Sequence, residues 1–427
     1  MKKVLIKAIK SKYFILFCLI SALGLHLAWI YLVRTQPAVD CLWFFQRATG
    51  IAEGKGYIWD NQPTAFWPIG YPAFLGLLFY IFGPSLWAAK IANIFLYLGI
   101  IYLSYYLSKA LFQSEITGRV TIFILTINPV NIAYSSLVAS EMLYSFLILL
   151  GTTLLVETNS TPQKNFFYSV ISGTVFGLCV LVKPQTILIP SIFFIVLHFK
   201  KICWQKIKSF LALFFVFNMA ILIPIIPWTI RNYQIFGKFV FISTNSGHNL
   251  LIGNNPQATG RWMKIYNIFP PLVDFSKIQN ETEKDTATRK RAIEFIKQNP
   301  NRFLELIPKK IKYLFASETD VKNWNKAGLT NNNKIVPKWF DYYFQLLHYY
   351  YRVLLGAIII SLAFLLYLRS DNKIIFPSLG LWFALYITLV SVVFFGMSRF
   401  HFPLMPFLIM YVAFSLVQLS NIEIKTE

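Results

Sequence analysis

Long apolar runs separated by short basic breaks dominate the chain, and the pattern predicts helices near 13–33, 86–111, 118–136, 139–157, 167–182, 184–199, 209–230, 351–368, 375–396 and 402–419. The runs are apolar all round rather than along one stripe, as suits helices in hydrocarbon, where a lipid-facing backbone must satisfy its own hydrogen bonds. Ten spans are expected, with the abutting runs on either side of 134–140 and of Lys183 open to being re-entrant instead. A further apolar stretch, 71–82, is too short to cross and predicts an interfacial or dipping element.

The short breaks orient the bundle. With the N-terminus inside, one side collects Lys2, Lys3, Lys7, Lys10 and Lys12, then Lys109, Arg119 and Lys164. Lys200, Lys201, Lys206 and Lys208 follow on that side, then Arg369, Lys373 and Lys425. The opposite, external side then receives two long polar segments, 34–85 and 231–350. Three units are expected: a transmembrane module over 1–230 carrying the loop 34–85, a mixed but mainly helical loop domain over 231–350, and C-terminal helices over 351–427. The fold class is therefore an all-α polytopic membrane protein. No internal repeat and no low-complexity tract is visible.

Composition agrees, since 56% of the 427 residues are hydrophobic and 18% aromatic, too apolar for a water-soluble globule. A net charge of +22 suggests nucleic acid until the basic residues are placed. They gather between apolar runs and in the segment 231–350, where 18 Lys and Arg face 9 Asp and Glu. That favours an anionic partner at the outer face and no nucleic acid. Of the four cysteines, Cys18 and Cys179 fall within apolar runs and Cys203 within a Lys-rich break, which leaves Cys41 as the expected external thiol and no disulfide framework. The N-terminus has the look of a signal-peptide n-region, but the run 13–33 is long enough to span and an uncleaved anchor is expected.

Candidate chemistry sits at the external ends of the runs. Asp40 opens the first polar segment seven residues after the first run, a reach of about 25 Å at most, so its carboxylate is tethered near the membrane surface. Glu141 lies at the mouth of the fourth run, where a carboxylate is costly unless paired or facing water. Its alternative role is electrostatic, favouring a helix N-terminus capped by Ser140. Lys183, Arg231, His248, Arg399 and His401 stand at the same level; each alone reads as a snorkelling anchor, but converging cations favour a phosphate site. No Walker loop, no dinucleotide-binding glycine motif, no structural-zinc spacing and no nucleophile elbow occurs. Energy for any reaction must arrive with the substrate.

Residues 40–72, Ser140-Glu141, Leu181-Val-Lys-Pro184, Pro227-Trp-Thr-Ile-Arg-Asn232, Asn249-Leu-Leu-Ile-Gly-Asn-Asn-Pro256 and 399–406 together resemble the polyprenyl-phosphate-sugar-dependent glycosyltransferases of fold type C, which include protein O-mannosyltransferases and lipid A aminoarabinose transferases. The resemblance implies a catalytic base at Asp40, with Glu141 as its helper. It implies phosphate or substrate contacts from Lys183, Arg231 and Arg399, and from His248, His401 and Tyr71. No cofactor is implied outright; a divalent cation, Mg or Mn, would sit on Asp40 and Glu141. The implied partners are a polyprenyl-phosphate sugar donor, a glycan, lipid or protein acceptor, and membrane lipid. Two departures stand out: Asp40-Cys41 replaces the Asp-Glu of many members, which bears on the metal. Trp67-Pro-Ile-Gly-Tyr-Pro72 replaces the Lys-Pro-Pro of the aminoarabinose branch, which argues against that branch. A polysaccharide polymerase or ligase remains the alternative, and a transporter a further one, although a transporter would place its ionisable residues at the midplane within repeated halves.

Overall fold

The computed structural model describes residues 7–158, 162–198, 207–265, 278, 280–331, 336–367 and 378–420. Lys2, Lys3, Lys200, Lys201, Cys203, Lys206, Arg369, Lys373 and Lys425, to which the sequence assigned a membrane side, lie outside these described residues.

Helix α1, Phe14–Leu32, shows why the bundle belongs in lipid. One face buries Cys18, Ala22, Trp29 and Ile30, while Leu16, Phe17, Ile20 and Tyr31 are exposed. Such side chains in water would cost far more than the helix gains, whereas hydrocarbon solvates them without penalty. Segment 34–85 follows as α2 (Asp40–Ala52), the short antiparallel hairpin β1–β2 (Ile58–Trp59 and Gln62–Pro63) and α3 (Gly70–Phe82). Then come α4 (Leu86–Phe112), α5 (Glu115–Thr126), α6 (Pro129–Tyr134), α7 (Glu141–Val156), α8 (Pro162–Val182), α9 (Ile189–His198) and α10 (Ile207–Phe236). The second polar segment holds α11 (Ser246–Gly253), α12 (Glu281–Gln298), α13 (Pro300–Phe315) and α14 (Thr319–Thr330). Finally α15 (Lys338–Tyr367), α16 (Leu379–Val393) and α17 (Met405–Ser420) complete the bundle.

Six helices are long and apolar enough to cross a membrane: Phe14–Leu32, Leu86–Phe112, Gln163–Val182, Ile207–Phe236, Lys338–Tyr367 and Ser398–Ser420. Four shorter apolar helices accompany them, among them the 16-residue Glu141–Val156, whose rise of about 24 Å falls short of a full hydrocarbon core. Ten full-length spans are therefore not what the described residues display. The run expected over 118–136 is one departure with a visible cause. Asn128 precedes Pro129, the residue before a proline is pushed out of the helical region, and Asn128 turns to cap the new helix α6 by accepting from Val130 N at 3.0 Å. The chain is a multi-pass membrane protein.

Close packing sets where the site forms. Gly173 and Gly177 of α8 meet α10 so tightly that a Cβ at either would overlap the backbone of Phe217 or Ile221, the small-residue contact by which membrane helices approach. At the end of α16, Lys310 of α13 donates to Val392 O at 2.8 Å and to Asn254 Oδ1 at 3.0 Å, while Asn254 Nδ2 donates to Val393 O at 2.8 Å. The last carbonyls of α16 are thus satisfied by side chains from the second polar segment. Burial pulls the Lys310 ammonium down to about 8.

Cys41 departs from expectation. It is only 3% exposed, on the inner face of α2, and burial pushes its thiol up. Because the thiolate is the reactive form, Cys41 should resist a membrane-impermeant maleimide in folded protein and react once the protein is denatured. Rapid labelling of intact protein, read by mass, would contradict the packing of α2.

Candidate functional site

Asp40 is the first residue of α2, delivered by a strained turn: Val39 before it has φ 53, a region that β-branched residues avoid. Distant elements hold that turn. Gln36 N donates to Gly328 O at 2.9 Å, Asn331 Nδ2 to Pro37 O at 3.1 Å, and Thr35 Oγ1 to Ser136 O at 2.7 Å. The result is a carboxylate whose Oδ2 accepts from Arg399 Nη1 at 2.7 Å, the two side chains being 21% and 17% exposed.

Arg399 sits in a tight turn, Ser398–Phe400, ahead of α17. Asp320 of α14 fixes the turn: its Oδ2 accepts from Ser398 Oγ at 2.8 Å and from Arg399 N at 3.1 Å. The guanidinium packs 5.1 Å from the Trp324 ring centroid, and its Nε has no hydrogen-bond partner. Next in chain, His401 is fully buried. Its Nδ1 donates to Leu314 O at 2.5 Å and its Nε2 is hydrogen-bonded to Glu318 Oε1 at 2.7 Å, so it ties the turn to α13 and the start of α14. Burial pushes the Glu318 carboxyl above its ordinary range, with His401 opposing.

A second pair lies alongside. Lys183 is extended because Pro184 follows it, which ends α8 and turns the ammonium onto Glu141 Oε1 at 2.9 Å. Lys183 is 13% exposed and Glu141 1%, with Glu141 Oε2 buried and unpartnered. Burial lowers the basicity of Lys183 while Glu141 supports its charge. Ser140 makes no side-chain cap, so the helix-start alternative for this sequence is reduced to the carboxylate's favourable place in the first turn.

Both pairs reach a cavity of about 470 Å³, the first through Asp40 and Arg399 and the second through Lys183. Asp40, Lys183 and Arg399 line its charged end, with Ser140 in front of Glu141. Tyr386, Ile387 and Val390 of α16, with Phe394 just past its end, make an apolar wall, and Phe44, Phe66 and Trp67 add to the apolar lining. Ser243, Asn245, Ser246, His248 and Asn249 give a polar cover, in which burial drops the His248 imidazole to about 4, so that it is neutral at neutral pH.

Not every candidate converges here. Arg231 is turned onto the first polar segment, donating to Thr64 O at 2.8 Å and Tyr57 O at 3.1 Å and lying over the Trp228 ring, and it does not line the cavity. His401 stands behind Arg399, committed to Leu314 and Glu318. Tyr71 is 1% exposed and packs edge-on against Phe44 at 5.1 Å. Asp320, Ser398, Trp67 and Tyr386 were missed from sequence. Asp320 carries no local signal, being one of many loop carboxylates until the fold brings it to Arg399. As arranged, Asp40 and Glu141 do not make a cation site: each is met by a cationic side chain. Among the described residues no group of three His, Cys, Asp or Glu is assembled.

Residues 67–228 match the model of the dolichyl-phosphate-mannose-protein mannosyltransferase family. Among solved structures, the chain resembles the oligosaccharyltransferase of Archaeoglobus fulgidus in complex with Zn and sulfate, at 15% identity and a TM-score of 0.56, over 96% of this chain and 49% of that one. It also resembles the same archaeon's AglB oligosaccharyltransferase in complex with an inhibitory peptide and a dolichol-phosphate, at 14% identity and 0.55, over 98% and 53%. ArnT from Cupriavidus metallidurans bound to undecaprenyl phosphate aligns at 12% identity and 0.46, over 92% and 78%. No curated protein sequence matches. The chain spans about half the length of the archaeal enzyme. The two archaeal likenesses give it the type-C glycosyltransferase fold, as the sequence resemblance implied.

Proposed function

We propose that the chain is an integral-membrane glycosyltransferase that moves a sugar from a polyprenyl-phosphate-linked donor to a hydroxyl of an envelope glycan, lipid or protein at the external membrane face. The observation that carries this reading is that Asp40, Lys183 and Arg399 line one cavity together with an apolar wall. An isoprenoid tail suits the α16 wall, its phosphate suits the two cations, and the sugar then reaches Asp40. A neighbour of this fold holds a dolichol-phosphate, which supports the donor class.

The chemistry is one displacement. Asp40 takes the proton of the acceptor hydroxyl as its oxygen bonds to the anomeric carbon. The bond from that carbon to the phosphate oxygen breaks, its electrons leave with polyprenyl phosphate, and the anomeric centre inverts. Arg399 and Lys183 stabilise the charge that develops on the departing phosphate. Arg399 already holds Asp40, so an arriving phosphate competes for the guanidinium and frees the base as the donor seats. Glu141 keeps Lys183 charged in a buried place.

The test is binding of undecaprenyl phosphate to purified protein in nanodiscs. Arg399→Lys keeps the charge but loses the planar fork, so affinity should fall roughly 10-fold, while Lys10→Arg leaves it unchanged. A wild-type protein that binds no polyprenyl phosphate, or an Arg399→Lys protein that binds it as well as wild type, would overturn the donor reading.

A further inference from the structure

We propose that Glu281 and Asp285, one turn apart on α12, are positioning residues for the sugar end of the cavity, because together they hold the two separate chain segments that cover it. The proposal rests on the donor reading above, in which phosphate lies at Lys183 and Arg399. The remaining polar part of the cavity is then left for the sugar.

The cover is made of residues 64–68, from the first polar segment, and residues 243–249, from the second. A backbone hydrogen bond joins them directly, Thr244 N donating to Ala65 O at 2.9 Å. Glu281 adds further links. Its Oε1 accepts from Ala65 N at 2.6 Å and from Thr244 Oγ1 at 3.1 Å, and its Oε2 accepts from Thr64 Oγ1 at 2.8 Å. One carboxylate thus takes three donors from two segments that are far apart in sequence. A carboxylate is suited to this because it accepts at every lone pair and donates nowhere.

One turn on, Asp285 holds α11. Its Oδ1 accepts from Gly247 N at 2.5 Å, and Ser246 Oγ lies 3.3 Å from each of its oxygens. Arg289 closes the group by pairing with Asp285 and donating to Ser246 Oγ at 2.7 Å. The approach is so close that a Cβ at Gly247 would overlap the carbonyl oxygen of Asp285. Held in this way, the two segments present Phe66, Trp67, Asn245, Ser246, His248 and Asn249 to the cavity, with Phe66 edge-on to His248 at 5.7 Å. Aromatic faces and neutral amides are what a sugar ring and its hydroxyls need. Neither Glu281 nor Asp285 lines the cavity, so their effect on ligand passes through these side chains.

The separating measurement is a ratio. Wild-type protein in nanodiscs is titrated with undecaprenyl phosphate and with undecaprenyl-phosphate-linked mannose, glucose and galactose, and the tightest sugar is carried forward. A Gln at 281 must turn its amide NH2 towards one of the three donors. Glu281→Gln and Asp285→Asn should therefore weaken binding of that glycosylated lipid by roughly 10-fold, the scale of one or two lost hydrogen bonds, with undecaprenyl phosphate unchanged. Glu294→Gln, on the outer part of α12, should move neither. If Glu281→Gln does not fold, Thr244→Val removes one donor and leaves the carboxylate, and the same ratio applies. Equal loss for bare and glycosylated lipid, no loss for either, or a wild type that prefers no sugar would each overturn the positioning role. Absence of any binding of undecaprenyl phosphate to wild type would instead remove the donor reading on which it rests.

Discussion

Asp40→Asn is expected to lower sugar transfer by roughly 100-fold or more in a protein that still folds and inserts. Asn keeps the size of the side chain, and its amide oxygen can still accept from Arg399 Nη1, which lies 2.7 Å from Asp40 Oδ2 in the native pair. What is lost is the charge and the ability to take a proton. The same substitution removes the carboxylate that competes directly for the guanidinium, so the affinity for polyprenyl phosphate should hold or rise while turnover collapses. Transfer from a lipid-phosphate sugar, measured beside lipid-phosphate binding on one preparation, separates these two effects. Near-normal transfer would exclude Asp40 as the base, and a parallel fall in binding and turnover would make it a binding residue instead.

Lys183→Met should lower stability by about 3–5 kcal/mol. Glu141 is 1% exposed and one of its oxygens already lacks a partner, so removing the ammonium leaves a buried carboxylate with no nearby cation on it except through Arg399. The remedy is specific. Adding Glu141→Gln to Lys183→Met removes the uncompensated charge and should return most of the lost stability, read as the shift in Tm of detergent-solubilised protein. Transfer should not return with it, because the phosphate still lacks Lys183. Equal Tm values for the single and double variants would mean that the pair is not coupled, and activity regained in the double variant would strip Lys183 of its role towards phosphate.

The sequence by itself determined the class of molecule, since runs that are apolar on every side have only one stable environment, and several helix ends followed from local chemistry. Lys183-Pro184 was legible as a break because a proline restricts the residue before it. The Asn128-Pro129 break obeys the same rule but was hidden inside a run read as continuous for its apolarity. Asp40 and Arg399 were legible as candidates because charge beside hydrocarbon is expensive and stands out. Their partnership was not, since 359 residues separate them and a carboxylate carries no address for its cation. Arg231 shows the limit most plainly: from sequence it equals Arg399, a cation at the end of an apolar run. Packing gives one of them backbone carbonyls at Tyr57 and Thr64 and the other the carboxylate of Asp40. Glu281 and Asp285 were not singled out from the sequence, because what they grip depends on chain brought from residues 64 and 247. Local periodicity and backbone sterics act over a few residues and can be read in order. The choice of partner is made by how helices pack against one another, which only the tertiary structure decided.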